Sequence, residues 1–317
     1  MHSSPIKVIV LVVALFKICH VQALCPPSDS LVPCICSQYN GWEVISCSNI
    51  RGRINFAPIF ARDSSAIKNQ NLSSYSLTFN TLRITGCSGL LEIPRGSFAD
   101  LSFLYVDISA NPNLDWISPR AFDKSSYGVT KELRLYDNYL WNPAPYTNDI
   151  FKFVTNFKML EKVDLGMNRI SSVPKNAFAS ASTIQRIDFR YNKITSIGQN
   201  AFSATTNLTL LEFTYNSITP AGIHPQAFSV LDEFLNFPYA LSLESRKLTI
   251  LGLHKNNVTT LDRTTFKPVL DTVKELIAGF GYCNPSTCYY DYLLCDHDAD
   301  WICDGKEKYR RPNSENP

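Results

Sequence analysis

Val163-Asp-Leu165-Gly-Met-Asn168-Arg-Ile170, Ile187-Asp-Phe189-Arg-Tyr-Asn192-Lys-Ile194 and Leu211-Glu-Phe213-Thr-Tyr-Asn216-Ser-Ile218 are three copies of one pattern, 24 residues apart. Working outward, the pattern recurs at Leu82-Arg-Ile84-Thr-Gly-Cys87, Val106-Asp-Ile108-Ser-Ala-Asn111, Leu133-Arg-Leu135-Tyr-Asp-Asn138 and Leu251-Gly-Leu253-His-Lys-Asn256. Anchored on 87, 111, 138, 168, 192, 216 and 256, the steps are 24, 27, 30, 24, 24 and 40 residues. A second feature keeps time with the first. Phe98, Phe122, Phe178, Phe202, Phe228 and Phe266 follow six of the seven anchors by 10 to 12 residues. A fixed period of this length marks a stack of structural units, each of which can cover its apolar face only with a neighbour.

Each position has a physical reading. In the L-x-L segment alternate side chains point the same way, as in a short strand with one buried face. The Asn after it is expected to satisfy backbone groups where the chain leaves the ladder. Cys87 takes that place in the first copy, where a thiol serves as a small, weakly polar core group. The phenylalanines are expected to stack as a spine behind the strands.

Seven copies of L-x-L-x-x-N/C-x-L resemble the extracellular leucine-rich repeat over residues 77–280. The resemblance implies an α/β repeat fold, a leucine-rich repeat solenoid with a parallel concave β-sheet, and a disulfide-stapled cap at each end. Cys25-x8-Cys34-x-Cys36-x10-Cys47 resembles the N-terminal cap of such proteins. That family pairs first with third and second with fourth, which carries over as Cys25–Cys36 and Cys34–Cys47. Cys283, Cys288, Cys295 and Cys303 resemble a divergent C-terminal cap. Cys283–Cys295 with Cys288–Cys303 is one of three possible pairings for four cysteines. Cys87 is left unpaired. The organisation expected is 1–23 signal peptide, 24–76 cap and degenerate first turn, 77–280 repeats, and 281–317 C-terminal cap and polar tail.

The cap stretch Cys25-Pro-Pro-Ser-Asp-Ser-Leu-Val-Pro-Cys34-Ile-Cys36, with Ser46-Cys47-Ser48, is also similar to a group of secreted arthropod proteins. These are labelled after the non-catalytic leucine-rich repeat subunit of oplophorus-luciferin 2-monooxygenase. That likeness implies a binding or stabilising role beside an enzyme and no activity in this chain.

Export is expected from the first 23 residues. Lys7 precedes an unbroken apolar run, Val8 to Phe16, and Val21-Gln-Ala23 suits a cleavage site. Nine apolar residues are under half of the ~20 that span a bilayer. The polar end, Lys306 to Pro317, lacks the apolar tail of a lipid-anchor signal. The sequence therefore reads as a secreted, extracellular protein with no membrane anchor. Asn71-Leu-Ser73, Asn207-Leu-Thr209 and Asn257-Val-Thr259 become glycosylation acceptors in that compartment.

Charge excludes one large class of partners. Lys+Arg is 30 and Asp+Glu 28 in 317 residues; without Lys7 and Lys17 the balance is 28 to 28. A chain with no basic excess is no general nucleic-acid binder. No HExxH, GxSxG or P-loop is present, so no enzyme activity and no cofactor is expected. Neither cysteine cluster has a CxxC pair or a His at ligand spacing, against zinc. Asp296, Asp298, Asp300, Asp304 and Glu307 sit at spacing for a calcium loop, but Trp301 stands where the turn needs Gly. No metal is assigned.

If the L-x-L residues point in, the residues between them face out. That row reads Arg83, Asp107, Arg134, Asp164, Asp188, Glu212, Gly252. Tyr136 and Arg190 hold the next outward position, and Tyr191 and Tyr215 the one after it. Asp164, Asp188 and Glu212 would form a line of carboxylates flanked by Lys162, Arg186 and Arg190. A self-compensating polar surface explains the row alone. The partner-binding reading takes Tyr136, Asp164, Asp188, Arg190, Tyr191, Glu212 and Tyr215 as a contact for a protein partner, because Tyr and Arg anchor interfaces. The two long repeats, with Trp141-Asn-Pro-Ala-Pro-Tyr146 and Phe234 to Tyr239, are expected to put loops on one face.

Overall fold

The computed structural model describes residues 25–26, 28–61, 77–142, 149–228, 248–258, 265–266 and 275–277. Along these, fourteen strands occur. They are β1 Ile35–Tyr39, β2 Trp42–Ser48, β3 Thr78–Thr85, β4 Glu92–Ile93, β5 Ser102–Ser109, β6 Trp116–Ile117, β7 Glu132–Arg134, β8 Lys162–Asp164, β9 Ser172–Val173, β10 Arg186–Asp188, β11 Ser196–Ile197, β12 Leu210–Glu212, β13 Ile250–Gly252 and β14 Glu275–Ile277. One ten-stranded sheet runs β1-β2-β3-β5-β7-β8-β10-β12-β13-β14. β1 is antiparallel to β2 and every other pairing is parallel.

The repeat places every copy in the same register. Ile45, Leu82, Val106, Leu133, Val163, Ile187, Leu211, Leu251 and Leu276 form one line of partners across nine strands. Leu82, Leu133, Ile187, Leu211 and Leu251, with Ile84, Leu135, Leu165 and Phe189 two residues on, are fully buried. Two strands thus extend the array beyond its seven legible copies. β2 precedes the first and uses Ile45 and Cys47 as its inward pair; β14 follows the last.

The asparagines form the expected ladder. Asn216 Oδ1 accepts the Ile194 N–H at 2.9 Å, and its Nδ2 donates to the Phe189 and Phe213 carbonyls at 2.9 and 2.8 Å. Asn168, Asn192 and Asn256 repeat the arrangement. Each side chain supplies what the turning backbone loses, in a place closed to water. Cys87 has no amide, yet its thiol still donates to the Cys47 carbonyl at 3.2 Å. Burial pushes that thiol's pKa up. Cys87 is the free cysteine among the described residues.

Every one of the largest fully buried side chains is a phenylalanine. Phe98 and Phe122 stack at 4.2 Å, Phe178 and Phe202 at 5.5 Å, Phe202 and Phe228 at 5.9 Å, and Phe266 follows at 5.7 Å. The remaining anchor, Asn138, third of the seven, has no phenylalanine at the usual offset, and a helix fills the gap. Asp149–Asn156 sends Phe153 to within 6.0 Å of Phe122 and Phe151 to within 5.7 Å of Phe178. Phe157, just past the helix, reaches Phe122 at 5.5 Å and the Tyr127 ring at 5.3 Å. Asn156 donates to the Pro119 carbonyl at 2.6 Å, which ties the helix to the preceding repeat. Most of the stretch expected as a loop in this long repeat, 143–146, lies outside the described residues. The helix after it belongs to the core, because the spine would otherwise break there.

Disulfides join Cys25 to Cys36 and Cys34 to Cys47. Beneath this cap Phe56 and Phe60 pack on Phe98 at 5.7 and 5.3 Å and close the spine's first end. The expected signal peptide, Asn71, the Phe234–Tyr239 insertion, the Asp296–Glu307 loop and the pairs Cys283–Cys295 and Cys288–Cys303 lie outside the described residues.

Candidate functional site

The open face of the sheet carries the row set by the register. Arg83, Asp107, Arg134, Asp164, Asp188, Glu212 and Gly252 are direct partners from strand to strand. Its first half alternates in sign. Arg83 lies 3.8 Å and Arg134 3.9 Å from Asp107, and Arg134 lies 3.6 Å from Asp164. Lys162 does not serve the row; it pairs with Glu132 at 3.1 Å. Arg190 grips Asp188 with Nε at 2.8 Å and Nη2 at 2.6 Å.

The three adjacent carboxylates have a local task as well. Asp164 accepts the Gly166 N–H at 3.0 Å, Asp188 the Arg190 N–H at 2.8 Å, and Glu212 the Thr214 N–H at 3.1 Å. This is the side-chain turn that Asp makes two residues on, and it finishes each strand. Glu212 also accepts the Thr214 hydroxyl and is buried. The Glu212 carboxylate occupies the space that a side chain at position 252 would need, which Gly252 leaves open. The sequence reading placed this row outside the core. For Glu212 that is corrected: the glycine opposite lets it fold down onto the sheet.

Desolvation pushes the pKa of Asp164 up, with Asp188 adding to it; the Gly166 N–H, Arg134 and Arg190 pull the other way. A folded pKa above the unfolded one stabilises only below the unfolded value near 3.9, and that contribution is lost as pH rises through the folded value. The charge is thus a small cost at neutral pH. Asp164→Asn keeps an acceptor for Gly166 and should stabilise by a few tenths of a kcal/mol at pH 7, because the site is partly solvated. The gain should vanish near pH 3, where aspartic acid is protonated in both states. Thermal melting at the two pH values reads this directly; destabilisation at pH 7 would mean that the Arg134 pair outweighs burial.

Beyond the strand ends lies a line of exposed aromatic and apolar side chains. Tyr191 and Tyr215 stack at 4.5 Å with an 11° tilt, and His254 meets Tyr215 edge-on at 6.2 Å. Burial and the neighbouring Lys255 lower the His254 pKa. Tyr136 donates to the Met167 sulfur at 2.6 Å and lies under Arg134 at 5.1 Å. Arg169 covers the Tyr139 ring, and Trp141 stands exposed beside it. The structure therefore brings Tyr191 and Tyr215 together, sets Asp164, Asp188 and Glu212 on neighbouring strands, and leaves Tyr136 two strands away from Tyr191.

One backbone feature governs this line. The residue before each anchor has positive φ: Gly86 at 68°, Ala110 at 54°, Asp137 at 56°, Met167 at 50°, Tyr191 at 56°, Tyr215 at 60° and Lys255 at 56°. There its N–H reaches the next repeat, as from Tyr191 to the Thr214 carbonyl at 3.0 Å. The same turn lifts each side chain onto the rim. Met167, Tyr139 and Arg169 join the line without having been expected there, whereas Trp141 belongs to the long repeat already singled out. For Met167 the available signal is its place just before an asparagine anchor, the same as that of Tyr191 and Tyr215. Of the sequons, Asn257 is exposed, while Asn207 is half-buried and donates to the Ser182 carbonyl at 2.8 Å.

Among the described residues no group of three or more His, Cys, Asp or Glu could hold a metal ion, and no helix is long and apolar enough to cross a membrane. No curated protein matches the chain. Among solved structures it is similar to a chain from the crystal structure of a TLR13–ssRNA13 complex, at 19% identity and a TM-score of 0.38. The match covers 74% of this chain and 40% of that one. The leucine rich repeat family model matches residues 158–218. These are the copies anchored at Asn168, Asn192 and Asn216, in the middle of nine strands in common register, so the chain folds as a leucine-rich repeat solenoid closed at one end by a disulfide-stapled cap.

Proposed function

We infer that this chain is a secreted, non-enzymatic binding protein that holds a protein partner on the open face of its sheet. The contact is the region of Tyr136, Asp164, Asp188, Arg190, Tyr191, Glu212 and Tyr215. The observation that carries this reading is the stacked, exposed pair Tyr191 and Tyr215 at positive φ. A left-handed backbone costs a bulky L-residue about 1–2 kcal/mol, which Gly86 avoids at the same place in the first copy. Strain kept on an exposed surface points to use. Export is supported by the two cap disulfides, which persist in oxidising compartments.

Glycine adopts the left-handed region freely, as Gly86 does at the same place, so Tyr191→Gly with Tyr215→Gly relieves strain while removing both rings. Melting should move by no more than ~0.5 kcal/mol, since strain relief offsets the lost stacking. Retention of the partner from secreted fluid should fall by an amount worth ~2 kcal/mol or more. Full retention with unchanged melting would shift the contact to Tyr139 and Trp141.

A second reading rests on the cap stretch from Cys25 to Ser48 and its similarity to the oplophorus-luciferin 2-monooxygenase non-catalytic subunit group. In it the chain is a non-catalytic, stabilising subunit of a secreted enzyme complex. Native co-purification separates the two: a stoichiometric enzyme supports the second, a free protein the first.

A further inference from the structure

β1 ends the ten-stranded sheet, and its far side pairs with no strand among the described residues. Natural edges of this kind are guarded by charge, proline or a bulge. β1 reads Ile-Cys-Ser-Gln-Tyr, and no charged residue occurs from Ser30 to Trp42. Its outward side chains are bare: Ile35 is 69% and Tyr39 71% exposed, with Trp42 at 48% beside them. Both disulfides of the cap hold this strand or its approach in place, Cys36 lying within it.

The hairpin defines which backbone groups are free. β1 turns into β2 through Asn40 and Gly41, whose φ values of 51° and 80° make a two-residue turn with Tyr39 opposite Trp42. In an antiparallel ladder hydrogen-bonded and non-bonded pairs alternate, and the pair that closes such a turn is bonded. Tyr39, Ser37 and Ile35 therefore direct their N–H and C=O groups toward β2. Cys36 and Gln38 direct theirs away from it.

We propose that this edge joins a second copy of the same chain, β1 against β1, antiparallel about a two-fold axis through Ser37. A two-fold contact must be self-complementary, and this strand is. With Ser37 opposite Ser37 of the second copy, Cys36 falls opposite Gln38, so the free donors and acceptors meet in bonded pairs. Ile35 falls opposite Tyr39 in the closer, non-bonded pairs, a β-branched residue against an aromatic, twice. No like charges meet. The two ten-stranded sheets become one continuous sheet, and both open faces stay free for the partner proposed above, which this contact does not require.

The test is sedimentation equilibrium of the full chain from about 1 to 100 µM, a range that brackets a Kd near 10 µM. The expected result is a rise from one chain mass to two. Gln38→Pro removes an N–H that faces away from β2, which an edge strand tolerates, and should weaken the dimer at least tenfold without lowering the melting temperature. Should the proline variant fail to fold, Tyr39→Lys, on a side chain already exposed, decides by the same readout. A wild-type chain that stays one chain mass throughout overturns the proposal. So does a dimer that survives either folded variant at wild-type strength.

Discussion

Phe153→Ala should destabilise the protein by about 3–5 kcal/mol, the loss seen when a fully buried aromatic leaves a cavity. Phe153 is fully buried, 6.0 Å from Phe122 and 5.4 Å from Phe157. It sits where the phenylalanine spine has no residue of its own to bridge Phe122 and Phe178. In a stack stabilised by nearest-neighbour interfaces, a weakened interface in the middle uncouples the two sides. Melting should therefore drop by roughly 10 °C, on the scale of 2–4 °C per kcal/mol for a chain of this size, and split into two transitions. Phe153→Leu should lose less and keep one transition. If the helix were surface decoration, the change would stay within ~0.5 kcal/mol. Calorimetry on the two variants distinguishes the cases.

Opening the cap should have a comparable effect. The bridges close short loops, with separations of 11 and 13 residues. Each is worth about 2–4 kcal/mol through restriction of the unfolded chain. Strand β2, which carries Cys47, also lays Ile45 beside Leu82, an apolar residue that no earlier repeat can shield. Cys34→Ser with Cys47→Ser should lower stability by about 2–5 kcal/mol and melt the first repeats ahead of the rest. Melting of this variant against wild type, both in oxidising buffer, isolates the cap from the cysteines beyond residue 280. Unchanged melting would mean that the first repeats hold without it.

The carboxylate row illustrates how a pattern can be read correctly and its meaning missed. Alternation alone puts Asp164, Asp188 and Glu212 on neighbouring strands and on the open face, and the register bears that out. It says nothing of the N–H two residues on that each one accepts, nor of Gly252, whose missing side chain lets Glu212 bury itself. Those contacts make the row partly a strand-ending device. The tyrosines beside it, free of such duties and held in an unfavourable backbone region, are the stronger candidates for a partner.

What the sequence determined by itself is whatever repeats. A 24-residue period forces each unit to present the same face to the next. Inward leucines, the asparagine ladder and six phenylalanines of the spine are therefore legible from spacing alone. What only the tertiary structure decided is whatever depends on a neighbour's absence. Ile150, Phe151, Val154 and Phe157 fall at helical spacing and the phenylalanine missing after Asn138 is legible, yet that the one fills the place of the other is decided only once the repeats are stacked. The rim made by Met167, Tyr191 and Tyr215 likewise arises from a left-handed turn that every copy shares but no residue type announces, because the hydrogen bond to the next repeat, and not local preference, holds it.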